Sequence, residues 1–345
     1  MQAVVSQCAP GEFEPQSAML VSCGILAGSY PEEFVALVRA LDGHIPLIGL
    51  VDCEADRRMA VTLLSDWGIS PDVIQFVCLP ARTPWIRDYG PTFVRLATGQ
   101  VVLLDPEYHI AALRDEDATP VGLAHLLRLP YAQVPVLLEG GNLIGNGRGL
   151  AVTTTHLMRR NAPRGLTQQE MGRILHEFYG LRQWTVLHPL TTELTGHVDM
   201  FVTFTAPDTV LVGAYDPRID PINAEVLDDN AAILAQVRTA TGPLRVERIP
   251  MPTNHGSTFR TYTNVVYANG VVLMPTYPDA DRRAEALARQ TYERLLPGWR
   301  VEPIHVPELT KQQGALRCAT LNVPWLEERF AASLIRDRSE IMQLA

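Results

Sequence analysis

Cys318 stands in QQGALRCATLNVP (312–324), behind a glycine-containing turn and beside Arg317. A thiol on a loop next to a cation has the setting that favours thiolate, the nucleophilic form. A single cysteine is more often a small buried hydrophobe, so its neighbours must decide. In TGHVDMFVTF (195–204), His197 and Asp199 are two apart at the start of an expected strand, which puts both side chains on one face. His-x-Asp suits proton transfer and is also metal-like. A zinc site wants three or four ligands, and neither HExxH nor paired cysteines supply the rest, so no metal is expected. In VLLEGGNLIGNGRGLAVTTT (136–155), Glu139 ends an apolar run and meets two glycines that permit close backbone approach. No phosphate-loop pattern follows, which leaves a hairpin with an acid at its edge. In TPWIRDYGPTFV (83–94), Asp88 precedes Gly-Pro. It reads either as a turn former or as an anion offered to a cationic ligand, with Trp85 as an aromatic wall. Arg87 reads as a partner for a buried carboxylate. Arg159 and Arg160 read as exposed loop charge, with carboxylate recognition as the alternative.

Asp88, Glu139, His197/Asp199, Asn264 and Cys318 all fall at the ends of apolar runs, beside Gly, Pro or another turn former, at intervals of roughly 50–65 residues. Such spacing suggests a repeated supersecondary unit that delivers one loop per copy to a shared centre, although no repeated motif is readable. Strand-like runs include PLIGLVD (46–52), VVLLD (101–105), PVLLE (135–139), TVLVGAY (209–215) and VVLMPTY (271–277). Helical spacing lies between them. Met171, Ile174, Leu175 and Phe178 share a face opened by Thr167 and closed by Gly180. Leu227, Ala231 and Leu234 form another, and Ala284, Leu287, Ala288 and Leu295 a third, preceded by Asp279. This alternation predicts an α/β fold, taken as one catalytic domain over 1–345.

The chain has 345 residues, 47% hydrophobic and 19% charged, which suits a globular enzyme rather than a disordered tail. No apolar run approaches the roughly 20 residues of a membrane span, and the N-terminus lacks a basic start and an apolar signal core. Five cysteines without CxxC spacing suggest reduced thiols and a cytoplasmic location. A net charge of −9 gives a nucleic-acid partner no support and a small cationic ligand some.

Together these segments resemble the agmatine deiminase and bacterial-type peptidyl-arginine deiminase family of the guanidine-modifying pentein superfamily. PGEFEPQSAMLV (10–21) is similar to the family's opening segment, WIRDYGPTFV to its Trp-x-Arg-Asp-x-Gly-Pro motif and LEGGN (138–142) to its Glu-Gly-Gly-Asn turn. TGHVD resembles its Gly-His-x-Asp, YTNVVYANGVVLMPTY (262–277) its late strand pair, and GALRCAT (314–320) its cysteine loop. The family usually carries a glycine run and a histidine before the nucleophile, where this chain has Gln312 to Arg317, and Tyr89 stands where threonine is common. The resemblance implies a five-bladed pseudo-symmetric α/β propeller of ββαβ units that needs no cofactor. It implies Cys318 as nucleophile, Asp88 and Asp199 as a guanidinium clamp, His197 as acid and base, and Glu139 as its helper. Trp85 and Asn264 are further substrate-binding candidates, Asn264 being equally suited to a turn. The product would be a ureido compound plus ammonia, formed through a thiouronium intermediate. A small amine of the agmatine type is the favoured substrate, with putrescine biosynthesis as its setting. Peptidyl or free arginine and amidino transfer are alternatives, and a homodimer is compatible.

Overall fold

The computed structural model of the protein describes residues 6–109, 115–254, 256 and 258–326; the first five residues, read above for a leader, lie outside them. The strands make five sheets of three or four strands and one short hairpin, Arg238–Thr239 with Gly242–Pro243. Each of the five sheets contains the same sequence of events: an antiparallel pair, a helical crossover, and a strand returning parallel to the second member of the pair. Val266–Ala268 and Val271–Thr276 are such a pair, and Arg300–His305 returns beside the latter after the helix Arg282–Leu295. The same order links Val202–Ala206, Thr209–Ala214 and Arg245–Pro250 through the helix Pro221–Ala235. A tight turn suffices for the antiparallel step, whereas the parallel step demands a crossover of a dozen or more residues. Asn269 and Gly270, with φ of 40° and 96°, supply the tight turn in the first example. Among the described residues none of the sheets closes on itself, and the α/β expectation holds.

One sheet joins the two ends of the described chain. Thr320–Pro324 pairs antiparallel with Gln16–Ser22, followed by Leu47–Val51 and Ile74–Cys78 in parallel. The strand that immediately follows Cys318 is thus fixed by a segment some three hundred residues earlier. Apolar side chains between sheets and helices form four buried clusters, the largest running from Met19 and Phe34 to Tyr267 and Tyr292.

The helix Gln168–Tyr179 begins at a capping box between Thr167 and Glu170 and ends at Gly180 with φ of 66°. It buries Met171, Leu175 and Tyr179. Leu227 and Leu234 are buried on Pro221–Ala235 as their spacing predicts. The helix Arg282–Leu295 differs in detail: Asp281, not Asp279, caps it, and Ala288 and Tyr292 face the core while Leu287 is 46% exposed. A tyrosine in the stripe displaces the leucine because its ring fills more of the core.

The expected strand 197–204 begins only at Val202. Gly196, at φ of 67°, turns the chain into a 3-10 turn over Val198–Met200, so strand alternation does not orient His197 and Asp199. This turn is one of five equivalent positions. Asp88 precedes Thr92–Leu96, Glu139 precedes Ile144–Gly145, Asp199 precedes Val202–Ala206, Asn264 precedes Val266–Ala268, and Cys318 precedes Thr320–Pro324. Each of these strands opens an antiparallel pair, which accounts for the near-even spacing in the sequence. Among the described residues no helix is long and apolar enough to cross a membrane.

Candidate functional site

The turn leading into each opening strand is built for close approach. Asp88 sits in the short helix Ile86–Tyr89 and accepts a hydrogen bond from the Gly141 amide at 2.9 Å. A side chain at Gly141 would strike His197 Nδ1 at 2.4 Å and Asp88 Oδ1 at 2.8 Å, so only glycine lets these three turns meet. Gly140 likewise leaves room for the Arg87 carbonyl. Asn142, the last residue of that motif, accepts from Thr154 and from the Val198 amide, both at 3.2 Å, tying the glutamate turn to the histidine turn. Trp85 packs against Gly314, where any β-carbon would meet its ring at 2.3 Å. The glycine of the cysteine loop therefore seats the tryptophan beside the thiol.

The turns converge on a cavity of about 230 Å³ lined by Trp85, Asp88, Glu139, Arg160, His197 and Cys318, with Tyr108, His109, Leu194, Thr195, Met200, Gln312 and Gln313. His197 Nε2 lies 2.9 Å from Glu139 Oε2, and its Nδ1 lies 3.7 Å from Asp88. Cys318 is 4% exposed; Asn264 donates to its sulfur at 3.3 Å, and the thiol lies 3.9 Å from Asp199 Oδ2. Asp199 is fully buried and is not part of the cavity wall. Its Oδ2 accepts from Arg317 at 2.8 Å, while Oδ1 has no partner among the described residues. Another cavity, about 80 Å³, includes Glu12, Arg87 and Arg317 in its lining and lacks the thiol.

Burial raises the Cys318 thiol well above its ordinary range, and the charges of Asp199 and Asp88 add to the effect. The expectation that Arg317 favours the thiolate is therefore corrected: its guanidinium is spent on Glu12 and Asp199, and the resting sulfur is a thiol. Burial also lifts Asp88, to about 6, against the opposing charge of His197. For His197 burial works downward but is outweighed by the Asp88 charge and the bond to Glu139, which push it up to about 10. Glu139 goes the other way. Burial would raise it, yet contacts from His109 and His197 and the charge of Arg160 hold it far below the usual carboxylate range. The resting cavity therefore holds a protonated imidazole between two carboxylates, with a neutral thiol opposite.

A buried thiol that shares a cavity with an imidazolium and carboxylates can become a nucleophile toward an electron-poor carbon once a bound cation favours loss of its proton. Residues 8–324 match the family described as Porphyromonas-type peptidyl-arginine deiminase. The chain belongs to that family. The agmatine deiminase of Ectopseudomonas mendocina is 26% identical over 84% of this chain and 86% of its own length. Two solved structures share the fold: an Enterococcus faecalis agmatine deiminase (TM-score 0.79, 19% identical, 92% of this chain and 95% of that one) and a C. jejuni agmatine deiminase (TM-score 0.77, 19% identical, 92% and 96%).

Of the residues named from sequence, Asp88, Glu139, His197, Cys318 and Trp85 share the cavity, Asn264 touches the sulfur from behind, and Asp199 lies beneath. Arg87 is buried against Glu12, as expected of a structural partner. Arg160 overturns its expectation: it lies on the helix Thr155–Asn161, lines the cavity and comes within 3.5 Å of Glu139. His109, which contacts Glu139, was missed because it stands in no motif. Glu12, which no sequence reading singles out within the opening segment, is the carboxylate against which Arg87 is buried. Tyr89, a departure from the family pattern, bonds Ser22 at 2.7 Å in the core and leaves the cavity untouched. Among the described residues no three or more His, Cys, Asp or Glu side chains are gathered to hold a metal.

Proposed function

We propose that this deiminase-family protein hydrolyses the guanidinium group of a small substrate at Cys318, giving a ureido product and ammonia. The observation that carries this reading is the convergence of Cys318, the His197–Glu139 pair and Asp88 on one cavity. That cavity is smaller than the roughly 300–1,000 Å³ of most ligand pockets, which suits a flat headgroup with a short tail. Guanidinium is planar and permanently charged, so it needs carboxylates at its N–H edges before its carbon can be attacked. Asp88 offers one from the cavity wall and Asp199 one from below, with Trp85 as an aromatic face.

In the proposed path, the bound cation lowers the cost of ionising Cys318, whose proton passes to solvent or a carboxylate. The sulfur adds to the guanidinium carbon to form a neutral tetrahedral adduct. Protonated His197 gives its proton to one nitrogen, the C–N bond breaks, ammonia leaves and a thiouronium cation remains. Neutral His197, held by Glu139, then takes a proton from water as the oxygen adds to the same carbon. Breaking the C–S bond returns the thiolate and releases the ureido compound with one proton, which ammonia takes up. We further propose that the five sheets are the blades of a pseudo-symmetric propeller and that the chain acts as one catalytic unit in the cytoplasm.

Two substrate readings remain in play. The agmatine-type amine is favoured by the acidic net charge and by the agmatine deiminases the chain is similar to. A guanidino compound bearing a carboxylate is favoured by Arg160, whose Nε is buried without a partner among the described residues and whose charge opposes a second ammonium. Assaying ammonia and ureido product with agmatine, arginine, methylarginines and an arginine-terminated peptide separates them. Cys318→Ala should remove turnover with the best of these by at least about a thousandfold while the fold stays intact. A mass adduct trapped during turnover should map to Cys318; retained turnover in the alanine variant would refute the nucleophile.

A further inference from the structure

Arg317 is 3% exposed and touches every one of the five turns that precede an opening strand. Its backbone carbonyl accepts from Arg87 Nε (3.4 Å), next to Asp88. Its Nη1 and Nη2 donate to the Gly140 carbonyl (3.3 and 3.4 Å), next to Glu139. Nη1 also donates to Asp199 Oδ2 (2.8 Å), and the backbone amide donates to Asn264 Oδ1 (2.9 Å). The fifth turn is its own, ending at Cys318. Glu12, from the opening segment, accepts from Nε at 3.1 Å and from Nη2 at 2.8 Å, locking the fork in one orientation.

We propose that Arg317 is a positioning residue that joins the five turns at one guanidinium and presents Asp199 to the substrate through a single oxygen, Oδ1. The inference rests on the guanidine reading of the cavity and deepens it. A carboxylate held at Oδ2 cannot embrace a substrate edge with both oxygens, so the two acids of the site play unequal parts. Asp88 meets the substrate from the wall; Asp199 contributes one acceptor, with its charge already matched by Arg317. The lone buried Oδ1 is the trace of that arrangement, since an unpartnered carboxylate oxygen in the interior is costly unless a ligand completes it. The sulfur lies 3.9 Å from Oδ2, so a guanidinium carbon attacked by that sulfur lies close to this carboxylate. The planar fork serves four acceptor atoms at once, both Glu12 oxygens, the Gly140 carbonyl and Asp199 Oδ2, one more than the three donors of an ammonium could reach.

The charged groups around Asp199 are Arg317 in direct contact, Cys318 beside it, and Asp88, His197 and Arg87 within electrostatic reach. Removing Arg317 leaves the buried carboxylate without its counter-charge and without the donor that holds Oδ2, so it no longer presents a fixed oxygen to a cation. The test uses guanidinium ion itself, at non-denaturing millimolar concentration, to protect Cys318 from alkylation by iodoacetamide in the full-length protein. In Arg317→Met, half-protection at pH 7 should need at least about tenfold more guanidinium than in the wild type. In Arg317→Lys, which keeps the charge and loses the fork, the requirement should rise only several-fold, a partial rescue that a merely structural role for the side chain would not give. If the methionine variant does not fold, the lysine variant decides. Wild-type protection in either folded variant overturns the role of Arg317. Absence of protection in the wild type instead overturns the guanidine reading, and this inference with it.

Discussion

Two buried polar clusters lie on either side of the cysteine loop, and they are organised in opposite ways. Behind the loop, Glu12, Arg87 and Arg317 use nearly every donor and acceptor on one another, on Asn322 and on backbone carbonyls. In front, His197 lies between Glu139 and Asp88 with an open cavity beyond, and an oxygen of Asp199 and the Nε of Arg160 go unpartnered among the described residues. A satisfied network of charges rigidifies a fold, whereas unspent charges in a cavity cost stability and await a ligand. The contrast teaches which charges hold the turns in place and which are left for chemistry.

Substitutions can break this contrast. Among substitutions that keep the nucleophile, the largest effect on rate is expected from Glu139→Gln, which removes the charge that holds His197. Turnover should fall by about 10²–10⁴-fold, and melting temperature at neutral pH should fall with it, because the fold holds this carboxylate ionised through His109, His197 and Arg160; full turnover would take Glu139 out of the site. Glu12→Gln should act on stability above all. It leaves two buried guanidinium groups facing a neutral amide, so unfolding free energy in a urea titration should fall by about 3–5 kcal/mol. Unchanged stability would show that the rear cluster is not the clamp described here.

Smaller effects sharpen the comparison through pH. Asp88 is raised to about 6 by burial, so kcat/KM for a guanidinium substrate should decline as pH drops through about 6, when the carboxylate takes a proton. Asp88→Asn should lower kcat/KM and flatten that limb; an unaltered limb would assign it elsewhere. His197, lifted to about 10 from an ordinary value near 6.5, binds its proton more tightly folded than unfolded. The stability it contributes is therefore complete below about 6.5 and lost as pH climbs through about 10. Melting temperature should drop over that interval in the wild type and drop less in His197→Gln, which scanning calorimetry across the range would check.

Much of the fold was legible. The helix over 168–179 announced itself through Thr167, Glu170 and Gly180 as well as through its apolar face, because capping and periodicity are local properties. The strand expected at 197 was placed five residues early, since an apolar run does not reveal that Gly196 turns the chain first. Glu139 and His197 could be named because each stands beside a glycine, and Asp88, Asp199 and Cys318 because they fall in motifs near Gly90, Gly196 and Gly314. His109 could not, as nothing near it in sequence marks it, and Arg160 was taken for surface charge because its burial depends on a helix docking against the glutamate turn.

The amino-acid sequence by itself determined the alternation of strands and helices, the caps, and the residue types available for chemistry, since these depend on neighbours a few positions apart. Tertiary structure alone decided what those residues do to one another. The guanidinium beside the nucleophile turned out to face Glu12 and Asp199 rather than the sulfur, and the thiol is raised rather than lowered. Charge–charge energies depend on distance and burial through the folded interior, and neither can be read from residues that stand dozens to hundreds of positions apart in the chain.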